Sequence, residues 1–345
     1  MILVYGAYGY TGKLIVDEAL KKNLSLVLAG RNAKSLQPMA EELQLPQIAF
    51  ELTDPESIAK HLEGIELVIH CAGPFEFTAE VMAKACILSK THYIDITGEY
   101  QVFEMLQQMD ANAKEENIML LPGAGFDVVP SDCLANMLKK ELPDGNHLEL
   151  AFASQGGSLS RGTAKTMIEN IHNGQYYREG GTLKQRKHGK SVKKINYGPF
   201  EQISVAISWG DISSAHYSTG IENIEVFTGS TEKQIKQMKW ANWLKPLLSA
   251  RWAKNILKNQ LDKKPAGPSE KKRSNASMYL WGSITDGKNT LEKRLKTPNG
   301  YTLTALTAVL VSQKILDGNF KAGYQTPSTA YGESLILDVE GCEMI

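Results

Sequence analysis

The sequence predicts an α/β protein: a Rossmann-type doubly wound parallel sheet, then an α+β second domain with an open mixed or antiparallel sheet. Three observations carry this. The chain opens on an apolar run, a glycine-spaced turn and a helical pattern, in that order. Five more apolar runs alternate with helical stretches up to residue 121, the pattern of a right-handed βαβ array. Strand-like runs such as Ile203–Ser208 and Ile224–Phe227 then follow without that alternation. The expected organisation is a nucleotide-binding domain over 1–132, a substrate or dimerisation domain over 133–300, and a return over 301–345 packed on the first domain.

Ile2 to Tyr5 reads as a buried parallel strand. It stops at Gly6, and a helical pattern begins at Lys13, with Leu14, Ile15, Ala19 and Leu20 on one side. Strand, turn and helix give the Gly6-x-x-Gly9-x-x-Gly12 spacing its meaning. Gly6 permits the tight turn, Gly9 lets a diphosphate approach the backbone, and Gly12 lets helix and strand pack closely. Tyr8, Tyr10 and Thr11, between the glycines, join the expected cofactor-binding set. A Walker A loop is excluded, since Gly9 and Gly12 enclose two residues and Leu14 follows Lys13.

Ser25 to Ala29 is the second strand, ending at Gly30-Arg31-Asn32. NAD-binding domains usually place an acid here for the ribose 2′-hydroxyl. Arginine, with Asn32 and Lys34 beside it, instead suits a 2′-phosphate and can stack on adenine. One charge-assisted hydrogen bond contributes roughly 1.5–3 kcal/mol, a preference of tenfold to a hundredfold. NADP is therefore the expected cofactor.

Ile48 to Leu52 is the third strand. Asp54 after it either touches the adenine amino group or caps a helix beginning at Pro55. Leu67 to Ala72 is the fourth, leaving through Gly73-Pro74-Phe75. First and fourth strands flank the crevice where strand order reverses, so Ala72, Gly73, Pro74 and Phe75 should run beside the nicotinamide ribose. His70, inside an apolar strand, reads as a packed, hydrogen-bonded histidine. A helix over Thr78–Ser89 leads to a fifth strand from His92, with Asp95 and Glu99 at its ligand-side end. A helix over Tyr100–Glu116 precedes the sixth strand, Ile118–Leu121, and Asp127 and Asp132 follow.

Thirty-eight basic and thirty-eight acidic side chains cancel, so no global charge points to nucleic acid. Cys71, Cys86, Cys133 and Cys342 lie far apart, without zinc-ligand spacing; no metal site is expected, and a reducing cytoplasm suits them. A strand starting at residue 2 leaves no room for a signal peptide, and no apolar run reaches the ~18 residues of a membrane span.

Gly-Ala-Tyr-Gly-Tyr-Thr-Gly (6–12), Leu-Ala-Gly-Arg-Asn (28–32), Ala-Gly-Pro-Phe (72–75), Tyr-Ile-Asp-Ile-Thr-Gly-Glu (93–99) and Gly-Phe-Asp-Val-Val-Pro-Ser-Asp (125–132) together resemble the saccharopine dehydrogenase-like oxidoreductases, in the branch that contains the trans-acting enoyl reductases. The resemblance implies an NADP-dependent oxidoreductase. It also implies that the cluster Ser160-Arg161-Gly162-Thr163 corresponds to an Arg/Gly-Gly-Thr segment at the second-domain cleft, which makes Arg161 and Thr163 substrate-binding candidates. A cluster of this kind opening a helix through Lys165 and Ile168 also suits an anion. An N-cap with an exposed arginine is the plainer reading.

Further on, Gln234 to Leu261 combines Trp240, Leu244, Leu248, Trp252 and Ile256 at helical spacing with several lysines, interrupted by Pro246. Packing on the domain or on a dimer partner is favoured over membrane contact, and a homodimer is expected. Met278–Ile284 and Thr290–Leu295 pair as a hairpin across Asp286-Gly287, and Tyr301–Leu316 is a helix stopped by Gly318.

No tyrosine has a lysine four residues later, which removes the short-chain dehydrogenase mechanism. The economical remaining chemistry is hydride transfer between NADP(H) and a C=C, C=N or C=O bond of a small or lipid-like substrate. Asp127, Glu99 and Asp95 are the catalytic candidates; Asp127 acts as acid or base if burial raises its pKa, or else caps the next helix. The alternative is a nucleotide-binding sensor or scaffold without turnover.

Overall fold

The computed structural model describes residues 1–156, 160–162, 164–165, 174–242, 251–263 and 265–345. The chain forms two compact units, 1–129 with 301–332, and 130–300 with 333–345.

In the first unit, strands β1 (Ile2–Tyr5), β2 (Leu26–Gly30), β3 (Gln47–Ala49), β4 (Leu67–His70), β5 (His92–Asp95) and β6 (Met119–Leu121) alternate with helices. These are α1 (Tyr10–Lys21), α2 (Ala33–Leu43), α3 (Pro55–His61), α4 (Ala79–Ser89), α5 (Tyr100–Gln107) and α6 (Asp110–Glu115). A seventh strand, Gly323–Tyr324, returns late in the chain and adds parallel to β6. From that edge the order is Gly323–Tyr324, β6, β5, β4, β1, β2, β3. β1 lies between β2 and β4 with every residue buried, which is why it reads as an unbroken apolar run. The order reverses beside β1, and a ligand crevice is expected at the strands' carboxyl ends there.

Three local expectations need correction. α1 starts at Tyr10, not Lys13, because Gly9 is the extended N-cap residue and Gly12 is already helical. β3 ends at Ala49 rather than Leu52; it is an edge strand paired only with β2. The helix expected over Tyr100–Glu116 is two helices, broken at Gln108–Met109 without glycine or proline to announce it. The break frees Asp110 to start α6 and to accept the Tyr324 N–H at 2.9 Å, tying down the returning strand.

The second unit is built on a nine-stranded mixed sheet. Its strands are β7 (His147–Gln155), β8 (Gln175–Glu179), β9 (Thr182–Arg186), β10 (Val192–Asn196), β11 (Glu201–Ile207), β12 (Asn223–Gly229), β13 (Ser277–Thr285), β14 (Thr290–Pro298) and the terminal Glu343–Met344. β7 pairs parallel with β12 and antiparallel with β13, and β13–β14 is the expected hairpin, with Gly287 at φ +88 in its turn. Tyr197, Phe227, Tyr279 and Trp281 form a buried aromatic cluster with alanines of β7 and β11. Gly282 admits Leu134 and Leu138 of α7 (Val129–Glu141); a Cβ there would meet the Leu138 side chain at 2.7 Å.

The C-terminal return also divides. Residues 301–332 fall in the first unit, whereas 333–345 fall in the second. The cause is the pairing of Glu343–Met344 with β14, Leu295 opposite Met344 and Lys296 opposite Glu343. A two-residue strand gives no periodic signal of its own.

Candidate active site

The glycine turn is packed so tightly that side chains are excluded from it. Gly6 adopts φ +85, and a Cβ on it would lie 3.0 Å from the Cys71 carbonyl carbon. On Gly9 it would lie 3.0 Å from the Gly6 oxygen, and on Gly12 only 2.3 Å from that same oxygen. The Gly9 N–H donates to Gly6 O at 2.9 Å, closing the turn. Gly9 has no side chain to cap α1, and the first turn holds no acid. The positive end of the helix therefore remains available to an anion, and a bare backbone cradle beneath it fits a diphosphate.

At the end of β2 the ring of Tyr8 rests against Gly30, where a Cβ would meet Cε1 at 2.6 Å. Beyond it Arg31, Asn32, Ala33, Lys34 and Glu51 line an open recess of about 510 Å³. Asn32 is the N-cap of α2, its side-chain oxygen accepting the Ser35 N–H at 3.2 Å. Two cations at a helix start suit a phosphate. Glu51 is the acid in that lining, and sequence reading passed over it. Asp54 takes the cap role, accepting the Ser57 N–H at 2.9 Å.

On the other side of β1, residues 72–77 are held by groups that face inward. Glu99 accepts the Phe75 N–H at 2.9 Å and the Glu76 N–H at 2.8 Å, one with each carboxylate oxygen. The Thr78 hydroxyl donates to Ala72 O at 2.9 Å, and its oxygen lies 3.0 Å from Nε2 of His70. His70 is fully buried, and burial drives its pKa down to about 3. It is thus the neutral, packed histidine expected, with Nε2–H donating to Thr78 and Nδ1 buried without a partner.

The three carboxylates differ sharply. Asp95, at the end of β5, is sealed in. It accepts from Thr97 N at 3.0 Å, Gly123 N at 2.9 Å and the Tyr93 hydroxyl at 2.7 Å. It staples β5 to the loop after β6, and burial still pushes its pKa up to about 6. Both oxygens of Glu99 are taken by the 75–76 backbone, and burial raises its pKa as well. Asp95 and Glu99 thus both hold backbone N–H groups. Asp127 is the one whose pKa burial, assisted by the charge of Glu99, pushes up to about 7. Its carboxylate lies against Gly98, where a Cβ would stand 2.9 Å from Oδ2.

Sequence reading missed what fixes the loop that carries Asp127. In the helix Gly300–Leu316, Thr304 accepts the Phe126 N–H at 3.0 Å and Thr307 donates to Ala124 O at 2.7 Å. Tyr301, at the start of that helix, meets Tyr10 of α1 edge-to-face at 5.1 Å. No local signal exists for contacts between residues this far apart.

In the second unit, Asp132 accepts the Ser218 hydroxyl at 2.6 Å. The Arg161 N–H donates to Ala266 O at 2.9 Å, and Ala164 N–H to Ser160 O, a helical turn opening at Ser160. Thr163 and the expected helix continuation through Thr166, Ile168 and Ile171 lie outside the described residues. None of the four cysteines is in a disulfide. No group of three His, Cys, Asp or Glu among the described residues could hold a metal ion, and no described helix is long and apolar enough to cross a membrane.

Residues 2–121 match the family described as the saccharopine dehydrogenase NADP binding domain. The match covers about a third of the chain, and over that stretch the chain is similar to the saccharopine dehydrogenase-like proteins. NADP is accordingly the dinucleotide its cradle and cationic recess are suited to hold. Among relatives, a lipid droplet localized protein of Caenorhabditis elegans is 24% identical over 411 aligned positions, covering 98% of this chain and 95% of that one. A mouse saccharopine dehydrogenase-like oxidoreductase is 29% identical over 151 positions, 38% of this chain and 35% of that protein. The match therefore spans about a third of the mouse protein's length. Apo saccharopine dehydrogenase (L-Glu forming) from Saccharomyces cerevisiae shares the fold, at TM-score 0.64, 13% identity and 100% and 99% coverage.

Proposed function

We propose that this protein belongs with the saccharopine dehydrogenase-like oxidoreductases and is an NADP-dependent enzyme that reduces a C=C, C=N or C=O bond of a small or lipid-like substrate, as a homodimer in the cytoplasm. The observation that carries the reading is the side-chain-free cradle of Gly6, Gly9 and Gly12 with Arg31 and Lys34 one strand away. When bound, NADPH supplies a hydride; reduction of the double bond then needs a proton for its other atom.

The chain's own residues divide the remaining work. The backbone around Gly9 and the start of α1 receive the diphosphate, and Arg31 with Lys34 pairs with the 2′-phosphate. Glu99, Thr78 and His70 keep residues 72–77 in place beside the crevice, so orientation costs little at the moment of reaction. Asp127 is the proton donor in reduction, because a group with a pKa near 7 holds its proton and also releases it at neutral pH. The nematode relative is named for localization to lipid droplets, a setting that suits a lipid-like substrate.

Oxidation of NADPH, followed against a panel of enoyl, imine and ketone substrates with short and long alkyl chains, tests the reading. Turnover of one class, abolished in Asp127→Asn with NADPH binding intact, supports it. Tight NADPH binding with no oxidation across the panel would favour a non-catalytic sensor.

A further inference from the structure

The dinucleotide site leaves the stretch 232–264 unexplained. It carries nine basic side chains against the carboxylates of Glu232 and Asp262, in a chain whose total charge is zero and whose remainder is therefore net acidic, together with Trp240, Trp243 and Trp252. The helix Glu232–Ala241 is fixed at its start by a capping box in which Thr231 and Gln234 exchange hydrogen bonds. Ile235 turns inward and is 5% exposed. With about 3.6 residues per turn, Lys233, Lys236 and Trp240 fall on the opposite face. All three are exposed, and the Trp240 side chain stands 72% in the open. Ile256, in the helix Arg251–Asp262, is 51% exposed.

An indole at that exposure forgoes most of the apolar burial that makes tryptophan valuable in a fold. Its amphipathic ring is suited to the headgroup level of a lipid layer, and lysines within two turns of it are drawn to anionic headgroups. We propose that the face bearing Lys233, Lys236 and Trp240 docks this protein on an anionic phospholipid surface. A second copy of the chain is the poorer occupant. A two-fold contact through this face would set Lys233 and Lys236 against their own duplicates. The proposal is independent of the NADP reading, since no residue in it lines the nucleotide site.

The full-length protein is co-sedimented with vesicles of phosphatidylcholine alone and of phosphatidylcholine mixed with phosphatidylserine. Binding to the mixed vesicles is expected to be about tenfold tighter or more, and to weaken as salt shortens the electrostatic range. Lys233→Glu with Lys236→Glu is expected to lose about tenfold or more of it, and Trp240→Ser a comparable share. NADPH binding by both variants should be unchanged, which separates loss of docking from loss of fold. Should either fail to fold, Trp240→Phe serves instead: the wild-type fluorescence shifts to the blue on mixed vesicles, and the variant loses that shift. Equal binding to both vesicle types, undiminished binding by the folded variants, or tighter binding to single-stranded RNA than to mixed vesicles would overturn the proposal. So would a dimer that the lysine variant dissociates, found without any vesicle binding.

Discussion

The carboxylate of Asp127 occupies space that a side chain on Gly98 would need, its Oδ2 lying 2.9 Å from where a Cβ would stand. Gly98 follows the strand whose end is stapled by Asp95, and Asp127 follows the loop that Asp95 staples to it. A raised pKa at Asp127 is thus built from two loops at once. Gly98→Ala is expected to push Asp127 out of place and to lower turnover while NADPH still binds. Substrate-independent evidence comes from the Asp127 titration in the same variant, followed by NMR, which should fall back toward the ordinary carboxylate range.

Asp127 also makes a stability forecast with a definite sign. Its folded pKa, about 7, lies above the ordinary value near 3.9, so the folded chain keeps a proton that the unfolded chain has released. Stability therefore falls as pH rises from about 4 to about 7, and is level beyond. Asp127→Asn removes this contribution. Its thermal advantage over wild type should be absent near pH 4 and full by about pH 8, on the order of 4 kcal/mol. Asp95 contributes with the same sign in both proteins, so the difference isolates Asp127.

Asp95→Ala should behave in the opposite way. It strands the Thr97 and Gly123 N–H groups and the Tyr93 hydroxyl in a buried place. Each costs about 1–3 kcal/mol, enough together to unfold a marginal domain. Urea denaturation should show a large loss at every pH where the wild type is folded.

Glu99→Gln leaves one acceptor oxygen where two N–H groups wait, at Phe75 and Glu76. A loss of about 1–3 kcal/mol in stability is expected, with weaker NADPH binding as residues 72–77 loosen. Calorimetric titration alongside a melting curve distinguishes the two effects.

Much of this architecture was legible because it is local. The buried run Ile2–Tyr5, the glycine spacing and the alternation of six strands each follow from neighbours in sequence, and so does the placement of Arg31 and Asn32. What was hidden depends on residues far apart. The break at Gln108–Met109 answers to Tyr324, the Asp127 loop answers to Thr304 and Thr307, and Glu343–Met344 pairs with β14 without any pattern of its own. The chemistry of the carboxylates was equally hidden. Asp95, Glu99 and Asp127 look alike in sequence; the backbone groups that Asp95 and Glu99 hold, and the pKa that burial gives Asp127, come only with the fold.

The central claim is that Arg31 and its neighbours receive a 2′-phosphate beside a diphosphate cradle. Titration of wild type and Arg31→Ala with NADPH and with NADH, by calorimetry at fixed salt, tests it most directly. Wild type is expected to prefer NADPH, and the variant to lose about tenfold to a hundredfold of NADPH affinity while NADH affinity stays put. Equal affinity of the wild type for both dinucleotides, or a variant that binds NADPH as well as wild type does, would contradict the account.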